Sequence, residues 1–182
     1  MKKLMFIAVA ALAFCANAAT CEWDVDTIND PSSGSASTGF LVYFFDANAT
    51  GTSISDANTA LASKNVSTIT SFLSNGWQGD DTDDGYSSGG TADVFGNSQD
   101  IDGYLVIFNA STVAGADYAF VSDTETGTTG GIGQSASISF GDIDATATLA
   151  NWTKISGDVP EPTSGLLLLL GVAGLALKRK RA

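Results

Sequence analysis

Apolar positions along the chain fall into three patterns. Residues 40–45 and 104–108 are apolar on both faces of a period-two pleat. Such runs read as central strands covered on both sides, and the two are expected to be neighbours in the core. A second group alternates. Residues 20–27 place Trp23 and Val25 on one face, and residues 135–140 set Ala136, Ile138 and Phe140 against three serines. That alternation is the signature of a half-buried antiparallel strand. Residues 118–121, 149–155 (with Trp152) and a short stretch at 91–95 complete a set of about seven strands. Only residues 55–75 have helical spacing, with Ala62, Val66, Ile69 and Leu73 on one stripe. Ser55 or Asp56 is the expected N-cap and Gly76 the stop. Val66 to Thr70 are poor helix formers, so the second half of this element competes with a strand.

Polar punctuation separates these runs. Residues 30–38, 76–90 and 127–133 are rich in Gly, Ser, Thr, Asn and Asp and read as loops or turns. Short strands divided by turns predict a mainly β body, an antiparallel β-sandwich or open barrel with one inserted helix. A C-terminal transmembrane helix is expected in addition.

Both ends depart from this texture. Lys2 and Lys3 precede an apolar run over residues 4–15, and Ala16 and Ala18 satisfy the small-residue cleavage rule, so residues 1–18 read as a secretory signal peptide. Phe14 before Cys15 argues against a lipoprotein site. At the other end Val159, Pro160, Glu161 and Pro162 precede thirteen uncharged residues, 165–177, and then Lys178, Arg179, Lys180 and Arg181. The two prolines fix φ and lack donors, which makes the first part an extended peptide. As a helix the apolar run would span about 20 Å, short of the ~30 Å hydrocarbon core unless flanking residues snorkel. The basic cluster is expected to stay cytoplasmic. The domain reading is therefore 1–18 leader, 19–158 exported body and 159–182 tail.

In its order of parts the tail resembles the PEP-CTERM sorting signal of bacterial exported proteins. The resemblance covers about the last twenty-four residues. It implies that an exosortase-like enzyme recognises the motif and removes the helix. The protein, inner-membrane anchored before processing, then passes to the cell surface or extracellular matrix. It implies no activity for the body. A plain, uncut membrane anchor is the rival reading of the same residues.

Charge narrows the partners of the body. Residues 19–158 carry nineteen acidic residues and only two bases, Lys64 and Lys154, a net of −17. Nucleic acid is excluded as a partner and anionic membrane surfaces are disfavoured. A soluble, self-repelling surface protein fits, as does a binder of divalent cations or of surface polysaccharide. Cys21 is the one cysteine beyond the leader, so no internal disulfide is expected.

Chemistry is sparse. The chain has no histidine, which removes Ser-His-Asp and Cys-His catalysis and every imidazole metal site. No aspartate stands in a recognisable catalytic frame, so the body is expected not to be an enzyme; a carboxylate-pair hydrolase is the remote alternative. Asp80, Asp81, Asp83 and Asp84 are weak calcium candidates. Aligned on the EF-hand loop, Asp80, Asp84 and Gly85 match positions one, five and six, while Thr82 and Thr91 replace the ligands at three and twelve. The bland alternative is a solvated acidic turn. Asn48, Asn65, Asn109 and Asn151 each begin an Asn-x-Ser/Thr sequence. Trp77, in a loop, is a better candidate for an exposed sugar contact than Trp23 or Trp152, which read as core. No cofactor is implied.

Overall fold

The computed structural model describes residues 19–92, 94–130 and 134–156. The leader and the whole sorting tail lie outside them. The body is mainly β and is built in three layers. A three-stranded sheet has the order β4-β1-β8, with β1 Cys21–Val25, β4 Ser87–Gly90 and β8 Ala136–Ser139. A six-stranded sheet has the order β3-β2-β5-β6-β9, and β7 also pairs with β5. Its strands are β2 Leu41–Asp46, β3 Trp77–Gln78, β5 Asp100–Phe108, β6 Tyr118–Val121, β7 Glu125–Thr128 and β9 Thr153–Lys154. Helices α1 (Ile54–Ala62) and α2 (Val66–Leu73) cover the far face of the larger sheet.

The two doubly apolar runs behave as the pattern requires. β2 and β5 are antiparallel neighbours, with Phe44 opposite Leu105 and Val42 opposite Ile107. One face of each strand sends Val42, Phe44, Leu105 and Ile107 into a core shared with Trp23, Val25 and Ile138 of the small sheet. The other face sends Phe45, Tyr104, Val106 and Phe108 into a second core with Leu61, Ile69 and Phe72 of the helices. Burying both faces is what makes alternation unnecessary here. Where β5 crosses between β2 and β7, Gly103 leaves room for Phe44; a Cβ there would stand 2.6 Å from Phe44 Cζ and 3.2 Å from Ile138 Cδ1.

Several expectations need correction. The expected single helix is two. Ser53, not Ser55 or Asp56, caps α1, in a capping box with Asp56. The chain then breaks at Lys64, which has φ 52°, and Asn65 caps α2 by accepting from the Thr68 N–H. The poor helix formers at 66–70 stay helical because Ile69, Phe72 and Leu73 are buried against the sheet, so packing outweighs propensity. β8 alternates as expected, but it pairs with β1 in parallel, Trp23 opposite Ile138. The whole intervening chain forms the connection, so no tight turn dictates an antiparallel pair.

Of the described residues in the stretch 91–95, Phe95 bridges to Ala19 and none lies in a named strand; the strand lies just before, at Ser87–Gly90. Within 149–155, Leu149–Asn151 is a 3-10 turn and only Thr153–Lys154 is strand. β3 lies in a stretch read as loop, and β7 runs into the turn read at 127–133. Among the described residues no helix is long and apolar enough to cross a membrane.

Candidate functional site

The acidic segment folds as a hairpin rather than a cation loop. Asp83 and Tyr86 exchange both backbone hydrogen bonds at 3.0 Å, closing a two-residue turn on Asp84 and Gly85. Both central residues have positive φ, 49° and 85°, as a type I′ turn requires. Asp80, Asp81, Asp83 and Asp84 are all exposed. Thr82, the residue aligned with a ligand position, is 2 % exposed and points inward. Its hydroxyl accepts from the Phe40 N–H at 2.9 Å and from Ser37 Oγ at 3.1 Å. Among the described residues no group of three or more His, Cys, Asp or Glu side chains is placed to hold a metal ion.

The tryptophans divide much as expected. Trp23 and Trp152 are core residues, and Trp152 Nε1 donates to the Thr146 carbonyl at 2.9 Å. Trp77 is not a free loop residue. It lies in β3, half-buried, with its ring 6.2 Å from Phe44 and 5.9 Å from Phe95.

Each of the four Asn-x-Ser/Thr asparagines has a structural task. Asn65 caps α2, and Asn109 Oδ1 accepts from the Asp117 and Tyr118 N–H groups. Asn48 Nδ2 donates to Asp102 and Asn151 Nδ2 to the Ala145 carbonyl. Asp102, which also accepts from Thr126 Oγ1, is held below the usual carboxylate range, first by Thr126 and then by Asn48. Cys21 is fully buried, and its thiol is pushed up to about 11 by burial and then by the charges of Asp46 and Glu22. A thiol so placed is a packing group, not a nucleophile.

Besides a shallow cleft of about 590 Å³ along the helices, lined by Asp56, Ser63, Ser67 and Asn75, two clefts among the described residues bring polar side chains of the sheets together. One, of about 200 Å³, is bordered by Asp123, Glu125, Asp142 and Asp144 over Phe120 and Phe140. The other, of about 440 Å³, lies on the outer face of the small sheet. Strand alternation turns Glu22 and Asp24 of β1 outward while Cys21, Trp23 and Val25 go into the core. The ladders place Ser88 and Gly90 beside them on β4, and Ser137 and Ser139 on β8. Tyr86, 48 % exposed, closes one side. This cleft is assembled from three strands and a turn, and no linear motif announces it. The readable signal was the Asp84-Gly85 pair, which marks a hairpin and hence the strand β4 that follows.

The sorting residues Val159, Pro160, Glu161, Pro162 and Lys178 to Arg181, like Ala16 and Ala18, fall outside the described residues. No curated protein and no solved structure matches the chain. The tail does match a family model. Residues 158–181 carry the PEP-CTERM protein-sorting motif, which marks a protein processed by an exosortase and associated with the membrane through its C-terminus beforehand.

Proposed function

We propose that the chain is exported through its leader, held at the inner membrane by residues 165–177, and cut near Pro160-Glu161-Pro162. The body then goes to the cell surface or extracellular matrix as a non-catalytic structural or adhesive module. The motif match at residues 158–181 carries this reading. A chain without histidine and a body with a net charge of −17 support it: the first leaves few catalytic devices, the second favours a solvated, self-repelling surface. The partners are then an exosortase-like enzyme, the export machinery and surface polysaccharide.

The test is the intact mass of the protein recovered from the surface and medium of the native cells. The expected mass lacks Met1 to Ala18 and everything after the Pro160-Glu161-Pro162 region. A mass that retains Gly165 to Ala182 would make the tail a permanent anchor and overturn the reading.

A further inference from the structure

We propose that the outer face of the β4-β1-β8 sheet is a binding cleft for an uncharged hexopyranose chain. The proposal concerns the folded body alone and does not depend on how the tail is processed.

Shape comes first. The cleft, about 440 Å³, falls within the range of about 300–1,000 Å³ common to small-molecule sites. Two glycines lie side by side on β4 for different reasons. Gly89 is demanded by packing, because a Cβ there would stand 2.7 Å from Trp23 Cζ2. Gly90 is not. A Cβ there would meet only the Cys21 carbonyl, at 3.8 Å, and its φ is not in the left-handed region. Gly90 faces outward directly opposite Glu22, and its missing side chain is what leaves the cleft open at that point. A strand glycine marks a bulge, a bend or a close approach of a ligand or another backbone, and Gly90 keeps a regular register opposite Glu22.

Chemistry then selects the occupant. Glu22 and Asp24 supply carboxylate acceptors, and Asp24 Oδ1 is shielded from solvent with no hydrogen-bond partner. Ser88, Ser137 and the Tyr86 hydroxyl can each donate or accept. Among the described residues no Lys or Arg lines the cleft. A fitting ligand is rich in hydroxyl donors, carries no negative charge and has one apolar face for the Tyr86 ring. Pyranose units meet all three conditions, whereas phosphates, nucleotides and uronic acids fail the second. Sugar hydroxyls donating to the outward-facing carboxylates of Glu22 and Asp24 form the stronger, charge-assisted kind of hydrogen bond. The cleft is open to solvent, which leaves room for a ligand to continue beyond it as a chain.

The full chain, purified in detergent, is titrated calorimetrically with maltohexaose and cellohexaose, and with oligogalacturonate as the anionic counterpart. Binding of at least one neutral hexaose at or below about 1 mM is expected, with none for the anionic one. Tyr86→Ala should weaken binding about tenfold, the scale of losing one aromatic contact. Gly90→Leu should fill the cleft and abolish binding with little change in the urea midpoint, since its Cβ makes only an ordinary contact, 3.8 Å from the Cys21 carbonyl. Three results would overturn the proposal: no neutral hexaose bound at about 10 mM, undiminished binding by Gly90→Leu, or preference for oligogalacturonate. Capture of polylysine with no sugar response would reassign the cleft to an amine and count equally against it.

Discussion

Gly103→Ala tests whether the two sheets share one core across β5. Gly103 pairs with Asp46 of β2 and with Glu125 of β7, so two of the three ladders of β5 pass through it. The added methyl would lie 2.6 Å from Phe44 Cζ and 3.2 Å from Ile138 Cδ1. Phe44 has nowhere to go. It is fully buried, stacked 6.0 Å from Trp23 and edge-on to Phe140 at 6.3 Å. Overpacking of this kind costs about 1–3 kcal/mol, and the tight approach puts this site in the upper half of that range. Replacing glycine returns about 0.5–1 kcal/mol by reducing the freedom of the unfolded chain. A net loss of about 2 kcal/mol follows, a sizeable part of the ~5–15 kcal/mol of a typical domain. Urea unfolding followed by tryptophan fluorescence reads it as a midpoint lower by roughly 1 M at unchanged slope. Adding Phe44→Leu should relieve the clash, so the double variant loses less than the sum of the singles by at least about 0.5 kcal/mol. A single variant within about 0.5 kcal/mol of the parent, or strict additivity, would refute the shared core.

Three further outcomes can be measured on the same protein. Thr82→Val keeps the shape but strands the buried Phe40 N–H, so it should cost about 1–3 kcal/mol in urea unfolding; a neutral result would mean that the hydroxyl is not needed there. Gly85→Ala forces a side chain into φ 85°, 3.2 Å from the Ile28 carbonyl, and should lower the melting temperature by several degrees, roughly 2–4 °C per kcal/mol. The buried acids set an alkaline limit. Cys21 is raised from 9.0 to about 11, and Tyr104, whose hydroxyl donates to the Thr52 carbonyl at 2.8 Å, is raised as well. Both are neutral in the fold and ionise more readily when unfolded; the thiol's contribution is intact below pH 9 and is lost as pH climbs toward 11, while the phenol's is intact below pH 10 and declines only above it. Cys21→Ala should flatten the thiol part of that decline, and Ellman's reagent should label Cys21 only after urea is added.

Legibility followed the range of the interaction that fixes each element. β2 and β5 could be read because complete burial writes itself into consecutive residues such as Phe44 and Phe45. β1 and β8 could be read because half-burial writes alternation. β3, β4 and β7 could not. Ser87–Gly90 has almost no side chain to show, and its strand state comes from pairing with β1 and from the Trp23 ring lying over Gly89. The parallel β1–β8 pair depends on two segments more than a hundred residues apart, which no window of local pattern contains. The break between the helices turned on a single Lys64 in the left-handed region, an unfavourable conformation that the sequence does not advertise.

The sorting signal and the cleft lie at opposite ends of this scale, and that difference bears on how the protein works. A processing enzyme reads the tail as a linear peptide, so prolines, an apolar run and terminal bases are enough, and all are visible without a fold. The cleft exists only when β1, β4, β8 and the Tyr86 turn come together, so it is built from serines, glycines and carboxylates that look like ordinary surface in one dimension. Folded order reaches close to the address. Ile155 is buried and its N–H bonds to the Asp117 carbonyl, three residues before the motif match begins at 158. Even fully extended, those three residues span at most about 11 Å. The enzyme that handles the motif therefore meets the folded body beside it, and nineteen acidic residues against two bases keep that body repelled from an anionic membrane surface. A folded body that resists the membrane and a tail associated with it put opposite demands on the few residues between them, which is where the sorting motif lies.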